Sequence, residues 1–365
     1  MQIDSGDILV EQRGALGLLT MNRPAALNAL NMAMVEGMQK ALNAFEADGS
    51  IRHVAIRGVG GKAFCAGGDI RLMHDLGKAN RHDEALRFWA DEYILNRHIH
   101  RYTKPYIALM DGIVMGGGVG VSLHGSHRLA GPNLMLAMPE VGIGFFPDVG
   151  ATFALPRLPG ASGHYLALTG NRIKRADALN LGIATHAVKG GTEEEIIAAL
   201  AAGEDVDSLA ARLKDDAGEA PIAALAQKIE RYFNQPSLAA VFAALEAGAA
   251  SDLFAAETLA GMKKKSYASM AISFEQMKRG GAMDFEEAMV TEFRIVSRII
   301  RDTDFYEGVR AVIIDKDNAP RWNPATLEGI DPAVIEAHFA PLSQDLVFPA
   351  VPGEAKNLPG AGNAR

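Results

Sequence analysis

Sulfur cross-links are the first thing missing, because Cys65 is the only cysteine in 365 residues. No intrachain disulfide can form and a zinc site built from several thiolates is excluded, so a reducing compartment is expected. Surplus positive charge is missing as well. With 36 Lys and Arg against 44 Asp and Glu, a formal net charge of −8, the chain lacks the cationic surface that supplies most of the affinity for a phosphate backbone. Nucleic acid is therefore not an expected partner. No apolar run approaches the roughly 20 residues of a membrane-spanning helix, and no membrane partner is expected. The opening segment, residues 1–7, is neither apolar like a signal peptide nor Arg-rich like a transit peptide, which makes the cytoplasm the expected location. Metal-ligand patterns are also lacking. His98 and His100 lie two apart in a helical segment and do not share a face, while His124 and His127 share one without an acidic third ligand, so no metal is expected. A phosphate-binding P-loop fails at Lys62, where Ala63 replaces the Ser or Thr and Ile56 the first glycine.

What remains is a composition of 48% hydrophobic and 22% charged residues, that of a soluble globular chain with one large domain and a smaller one. Ile8 to Asn22 reads as two short strands around Arg13 and Gly14, Asn31 to Glu46 as a helix, and His53 to Arg57 as a buried strand. A glycine-rich loop from Gly58 to Gly68 leads into a helix near Asp69. Arg81 to Arg101 is helical, and Tyr106 to Met110 is a second buried strand running into Asp111, Gly112 and the triple glycine Gly116, Gly117 and Gly118. From about Gly160 the chain is mainly helical. No fixed-period repeat is present.

Twice, then, an apolar strand ends in a glycine-rich turn before a helix, which leaves main-chain N–H groups at the helix N-terminus where they can bind negative charge. Either turn alone is most simply a tight strand-to-helix connection or a site of close helix packing, and the second fails the dinucleotide fingerprint because Val121 stands where its third glycine belongs. Together the two turns can polarise one carbonyl oxygen and hold an oxyanion.

The pair Phe64-Cys65-Ala66-Gly67-Gly68-Asp69 and Gly116-Gly117-Gly118, followed by Pro139-Glu140, resembles the crotonase (enoyl-CoA hydratase/isomerase) superfamily. Within it, the run from Ala137 to Gly150, with Asp91-Glu92-Tyr93, the segment Asp304 to Val312, and Asp315 to Asp317, is similar to the 3-hydroxyisobutyryl-CoA hydrolase branch. The resemblance spans Ile8 to Pro324. It implies an α/β fold with a crotonase-like (ββα)n spiral core and a C-terminal helical region. The expected division is 1–200 for the core with its CoA-thioester site, 201–345 for the helical region and 346–365 for a flexible tail.

The resemblance also implies an oxyanion hole at the N–H groups of Gly68 and Gly117, catalytic roles for Glu140 and Asp148, and substrate contacts from Glu92, Gly117, Glu140 and Asp148. Ala66, Gly68 and Ile70 would contact CoA. The substrate would be an acyl-CoA, with coenzyme A part of it and no separate cofactor. Hydratases of the superfamily carry a first glutamate two residues after the triple glycine, where this chain has Gly120, and that departure favours hydrolysis over two-glutamate hydration. Competing readings stay open at this point: Asp148 as the cap of a helix near Gly150, Glu140 as a surface loop acid, Glu92 as an ordinary helical polar residue, and a hydratase, isomerase or catalytically silent binding subunit. The absence of a Gly-x-Ser-x-Gly elbow counts against a serine thioesterase. Lys263 to Lys265 reads as a CoA phosphate contact or, more simply, a solvated helix face. A homo-oligomer is possible, unless the long helical region covers the surface through which family members assemble.

Overall fold

The computed structural model describes residues 3–4 and 6–349. Its strands, in chain order, are β1 (Ile3–Asp4), β2 (Ile8–Arg13), β3 (Leu16–Met21), β4 (His53–Gly58), β5 (Ala63–Cys65), β6 (Tyr106–Met110), β7 (Ile113–Met115), β8 (His127–Ala130), β9 (Met135–Ala137), β10 (Ile173–Lys174) and β11 (His186–Ala187). They form two sheets, one ordered β1-β2-β3-β4-β6-β8-β11 and one β10-β9-β7-β5. From β4 onward the strands come in pairs. The first of each pair, β4, β6 or β8, joins the larger sheet in parallel, and the second, β5, β7 or β9, joins the smaller one, also in parallel.

A helix or helical turn follows each pair: α2 (Ile70–Lys78) and α3 (His82–His100) after β5, α4 (Gly117–Leu123) after β7, and a 3-10 turn (Glu140–Ile143) after β9. This is the expected (ββα)n spiral. The strands inside the larger sheet are covered on both faces, which is why β3, antiparallel to β2 and parallel to β4, and β6, parallel to both neighbours, are buried along their whole length. Between β3 and β4 the helix α1 (Met32–Ala47) starts where Asn31 Oδ1 accepts the Met34 N–H at 3.0 Å, and its buried stripe of Met34, Met38, Leu42 and Phe45 joins the main core.

The expected strands and helices of the first half are present, but the turns between them contain more than was anticipated. β5 and β7 are three-residue strands inside what looked like plain glycine-rich connections, and three residues are too few to show a period. Gly112 makes the second connection possible. It adopts φ +75°, and a Cβ there would lie 2.5 Å from the Lys62 carbonyl oxygen.

Beyond Gly160 the chain is helical apart from β10 and β11. The position between residues 200 and 201 falls at the end of helix Glu193–Ala201, which with Val206–Arg212 packs on Leu16, Leu18, Ala55 and Ile107 on one side of the larger sheet. On the other side a single apolar cluster runs from Ile8 through the spiral to Leu346. Residues 346–349 belong to this packed body: Leu346 is buried, and the Arg97 guanidinium lies 5.5 Å from the Phe348 ring centroid. The remainder of the expected tail, 350–365, lies outside the described residues. Among the described residues no helix is long and apolar enough to cross a membrane.

The helical region is tied to the spiral by Phe305, which is fully buried on helix Thr303–Val309 with ring centroids 6.4 Å from Trp89 of α3 and 5.7 Å from Phe145. Phe305→Ala should cost about 3 to 5 kcal/mol in urea unfolding and keep a single transition. A loss below about 1 kcal/mol, or separate transitions for strand and helix signals, would refute a shared core.

Candidate active site

The two glycine turns meet face to face. Residues 66–69 are stitched to the segment before α1 by Ala66 N–H to Leu27 O at 3.0 Å, Leu30 N–H to Gly67 O at 2.8 Å and Asp69 N–H to Leu30 O at 2.8 Å. The Gly68 N–H takes no part in this pairing. Gly117 is the first residue of α4, so its N–H has no partner within the helix. A Cβ on Gly117 would sit 3.3 Å from Gly68 N, and one on Gly118 would sit 2.3 Å from the Cys65 carbonyl oxygen. Only glycine allows this approach, and Gly67 and Gly116 further need their positive φ angles of +122° and +46°.

Three carboxyl groups close around these turns. Glu140 begins the 3-10 turn after Pro139 and points back, so that a Cβ on Gly116 would lie 3.2 Å from its Oε1. Glu92, on α3, brings its Oε1 to within 2.7 Å of where a Gly117 Cβ would be. Asp148 accepts the Tyr93 O–H at 2.9 Å on its Oδ2. The three are 2%, 5% and 6% exposed for Glu92, Asp148 and Glu140, and Glu92 Oε1 and Glu140 Oε2 have no hydrogen-bond partner among the described residues. Asp148 is not a helix cap: the four-residue helix Ala151–Ala154 is entered through Gly150, with no side-chain cap bond.

These groups line a cavity of about 230 Å³ together with Ala66, Ile70 and apolar walls that include Phe88, Trp89, Phe145 and Val312. All seven residues singled out in the sequence, Ala66, Gly68, Ile70, Glu92, Gly117, Glu140 and Asp148, line this one cavity. A wider hollow of about 830 Å³ shares none of its lining, and its Arg97 and Arg294 are already ion-paired with Glu286 and Asp345. The chemistry therefore points to the smaller space.

Burial governs the electrostatics. The cavity lining contains no Lys, Arg or His. Desolvation pushes Glu140 and Glu92 well above the usual carboxylate range, and the neighbouring Asp148 pushes both further. Asp148 itself is raised to about 7 by burial, against the lowering effect of the Tyr93 hydrogen bond. Buried carboxyls that raise one another's pKa resist ionising together. Such an arrangement can polarise a carbonyl with two N–H groups, present a carboxylate to its carbon, and accept a hydroxyl on the remaining acids.

The other candidates are placed elsewhere. Lys263 pairs with Glu246 at 3.1 Å, and Lys265 is partly buried beside Gly142, with its pKa lowered by that burial; neither lines the cavity. His98 contacts Gln39 and Glu46, His100 stacks on Phe285, His124 bonds the Val149 carbonyl and His127 faces Asp207. Among the described residues no group of three or more His, Cys, Asp or Glu is arranged to hold a metal ion.

Sequence reasoning missed Tyr93 as the partner of Asp148. It also missed Val312 and Ile313, which reach the cavity from a π-helical turn, Arg310–Ile314, whose Arg310 is pinned by Asp315 and Asp317 at 2.7 Å each. Glu292 went unnoticed too, though it left a signal, since it interrupts the apolar stripe of Phe285, Met289, Ile295, Val296 and Ile299 on helix Phe285–Ile299.

The model of the enoyl-CoA hydratase/isomerase family matches residues 16–339. The chain is 43% identical over 352 residues to the 3-hydroxyisobutyryl-CoA hydrolase, mitochondrial, of Xenopus tropicalis, covering 93% of this chain and 90% of that protein. It is 38% identical to the protein of the same name from Homo sapiens, covering 94% and 91%. Among solved structures, a carnitinyl-CoA dehydratase from Mycobacterium thermoresistibile superposes with a TM-score of 0.89 at 40% identity, covering 94% of this chain and 99% of that one. An enoyl-CoA hydratase from Rhodobacter sphaeroides gives 0.88 at 38%, covering 94% and 100%.

A carboxyl with a raised folded-state pKa holds its proton more tightly in the folded chain, so the stability it contributes is present at low pH and lost as pH rises through the folded value. Glu92→Gln removes that loss. Its melting temperature should exceed that of the native chain by about 2 °C or more at about pH 8, and by less at about pH 5. An equal or smaller gain at the higher pH would contradict the protonation described here.

Proposed function

The chain belongs to the enoyl-CoA hydratase/isomerase family, and from that premise we propose that it hydrolyses a 3-hydroxyacyl-CoA thioester, 3-hydroxyisobutyryl-CoA foremost, to the hydroxy acid and free coenzyme A. The names of the curated relatives support this substrate and reaction, and the family resemblance implies valine breakdown as the setting. The observation that carries the choice over hydration lies at Gly120. A Cβ there would fall 2.7 Å from Val149 Cβ and 2.8 Å from Asn96 Nδ2, so the place of a hydratase's first glutamate is filled by packing, while Glu140 remains.

The thioester oxygen accepts the N–H groups of Gly68 and Gly117, each worth about 3 kcal/mol to the transition state. Glu140 then acts on the carbonyl carbon in one of two ways. As a nucleophile its carboxylate forms a mixed anhydride and expels the coenzyme A thiolate, and water cleaves the anhydride afterwards. As a general base it takes a proton from the water that attacks. No cofactor enters either route beyond the coenzyme A that the substrate carries. Ala66 and Ile70 flank the CoA side of the cavity. Asp148, whose Oδ2 already accepts the Tyr93 O–H, meets the hydroxyl on the acyl chain, and the unpartnered Oε1 of Glu92 offers a second acceptor.

Compartment and assembly belong to the same proposal. The lone Cys65, buried and with its pKa pushed up to about 12 by desolvation, suits a reducing compartment such as the cytoplasm, whereas the vertebrate relatives are named mitochondrial; cell fractionation distinguishes these. A homo-oligomer is a further possibility that sedimentation resolves.

Thiol release from 3-hydroxyisobutyryl-CoA should fall by a factor of about 10³ in Glu140→Gln, and isobutyryl-CoA should be cleaved at least about a hundredfold more slowly than the hydroxylated substrate. Consumption of crotonyl-CoA without thiol release would move the protein to the hydratases, and equal cleavage of both substrates would remove the hydroxyl-binding role of Asp148 and Glu92.

A further inference from the structure

Val149 follows Asp148 with φ +53°, a left-handed conformation that a β-branched residue adopts only under constraint. Three side chains from outside the cavity lining supply it. Glu292 accepts the Gly150 N–H on Oε2 at 2.8 Å and the Thr152 N–H on Oε1 at 2.9 Å. Gln276, from helix Tyr267–Gly280, donates to the Pro147 carbonyl at 2.5 Å and to Thr152 Oγ1 at 2.6 Å. His124 lies 2.7 Å from the Val149 carbonyl through Nε2. A carbonyl only accepts, so Nε2 carries the proton, and burial keeps this imidazole neutral by lowering its pKa to about 4.

The held turn presses inward on the site. Val149 packs against Gly120 in α4, the helix whose first N–H belongs to Gly117. A line of contact therefore runs from Glu292 through Gly150 and Val149 to the helix that carries one of the two N–H donors. Of the three side chains Glu292 is the most costly to place there. It is a fully buried carboxyl on an otherwise apolar stripe, and both of its oxygens are spent on main-chain N–H groups around one turn.

We propose that Glu292 is a positioning residue for Asp148, locking residues 147–150 against α4 so that the aspartate meets the hydroxyl of the acyl chain. This rests on Asp148 being the hydroxyl acceptor. In Glu292→Gln one of the two accepting oxygens becomes an NH₂ group that faces an N–H, so the turn loses a bond and gains a donor-donor conflict.

The test compares kcat/KM for 3-hydroxyisobutyryl-CoA and isobutyryl-CoA in the full-length native protein and in Glu292→Gln. The ratio between the two substrates should fall by about tenfold or more, with the loss concentrated on the hydroxylated one. A purely structural pin would lower both rates by one factor, and an unchanged ratio overturns the proposal. If Glu292→Gln does not fold, Gln276→Met releases the same turn from the other helix and is judged by the same ratio. A native protein that cleaves neither substrate, or both equally, overturns the proposal along with the function it rests on; discrimination kept in both native and variant overturns the positioning role alone.

Discussion

The Cys65 carbonyl oxygen lies 2.3 Å from where a side chain on Gly118 would begin, and a Cβ on Gly117 would stand 3.3 Å from Gly68 N. That approach of two main-chain turns, each at the end of a strand in the smaller sheet, determines most of what surrounds it. β5 and β7 must be adjacent and parallel for the turns to meet, and glycine is the only residue that lets them meet so closely. The N–H groups it brings together belong to the fold itself, so under the proposed reaction they would need no reorganisation as negative charge developed between them. Catalytic capacity here is thus a property of backbone geometry, with the side chains arranged around it.

Three buried carboxyls around two N–H groups would be a poor arrangement for stability alone, because desolvation penalises each charge and no cation lines the cavity. The same arrangement divides their tasks. Under the proposed reaction Glu140, whose Oε1 lies 3.2 Å from where a Gly116 Cβ would be, is the carboxyl that acts on the thioester carbon. Under the same proposal Asp148, held by Tyr93, and Glu92, with its unpartnered Oε1, are the acids that meet the hydroxyl. Trp89, stacked on Phe145 with centroids 5.6 Å apart, and Val312 from the helical region add apolar surface to the cavity lining.

Much of this was legible in the sequence because it depends on local signals. The apolar runs His53 to Arg57 and Tyr106 to Met110 announce buried strands, and Gly-Gly turns before helices announce exposed N–H groups. The three-residue strands β5 and β7 were not legible, being shorter than any period. Contacts between distant segments were also hidden. That Glu92 and Asp148, 56 positions apart, would share a cavity came from family resemblance and not from spacing, and nothing near Val149 announced its positive φ. Glu292 was legible in part, as an acid on an apolar helical stripe, but its two N–H partners lie about 140 residues away.

The central claim is that the thioester oxygen is held between the N–H groups of Gly68 and Gly117. The most direct test is the carbonyl stretch of 3-hydroxyisobutyryl-CoA bound to Glu140→Gln, read by difference Raman spectroscopy with a ¹³C-labelled thioester. Two aligned donors should lower that frequency clearly below its value for the free thioester in water. A bound carbonyl at or above the free frequency would mean that the oxygen does not sit between the two glycines.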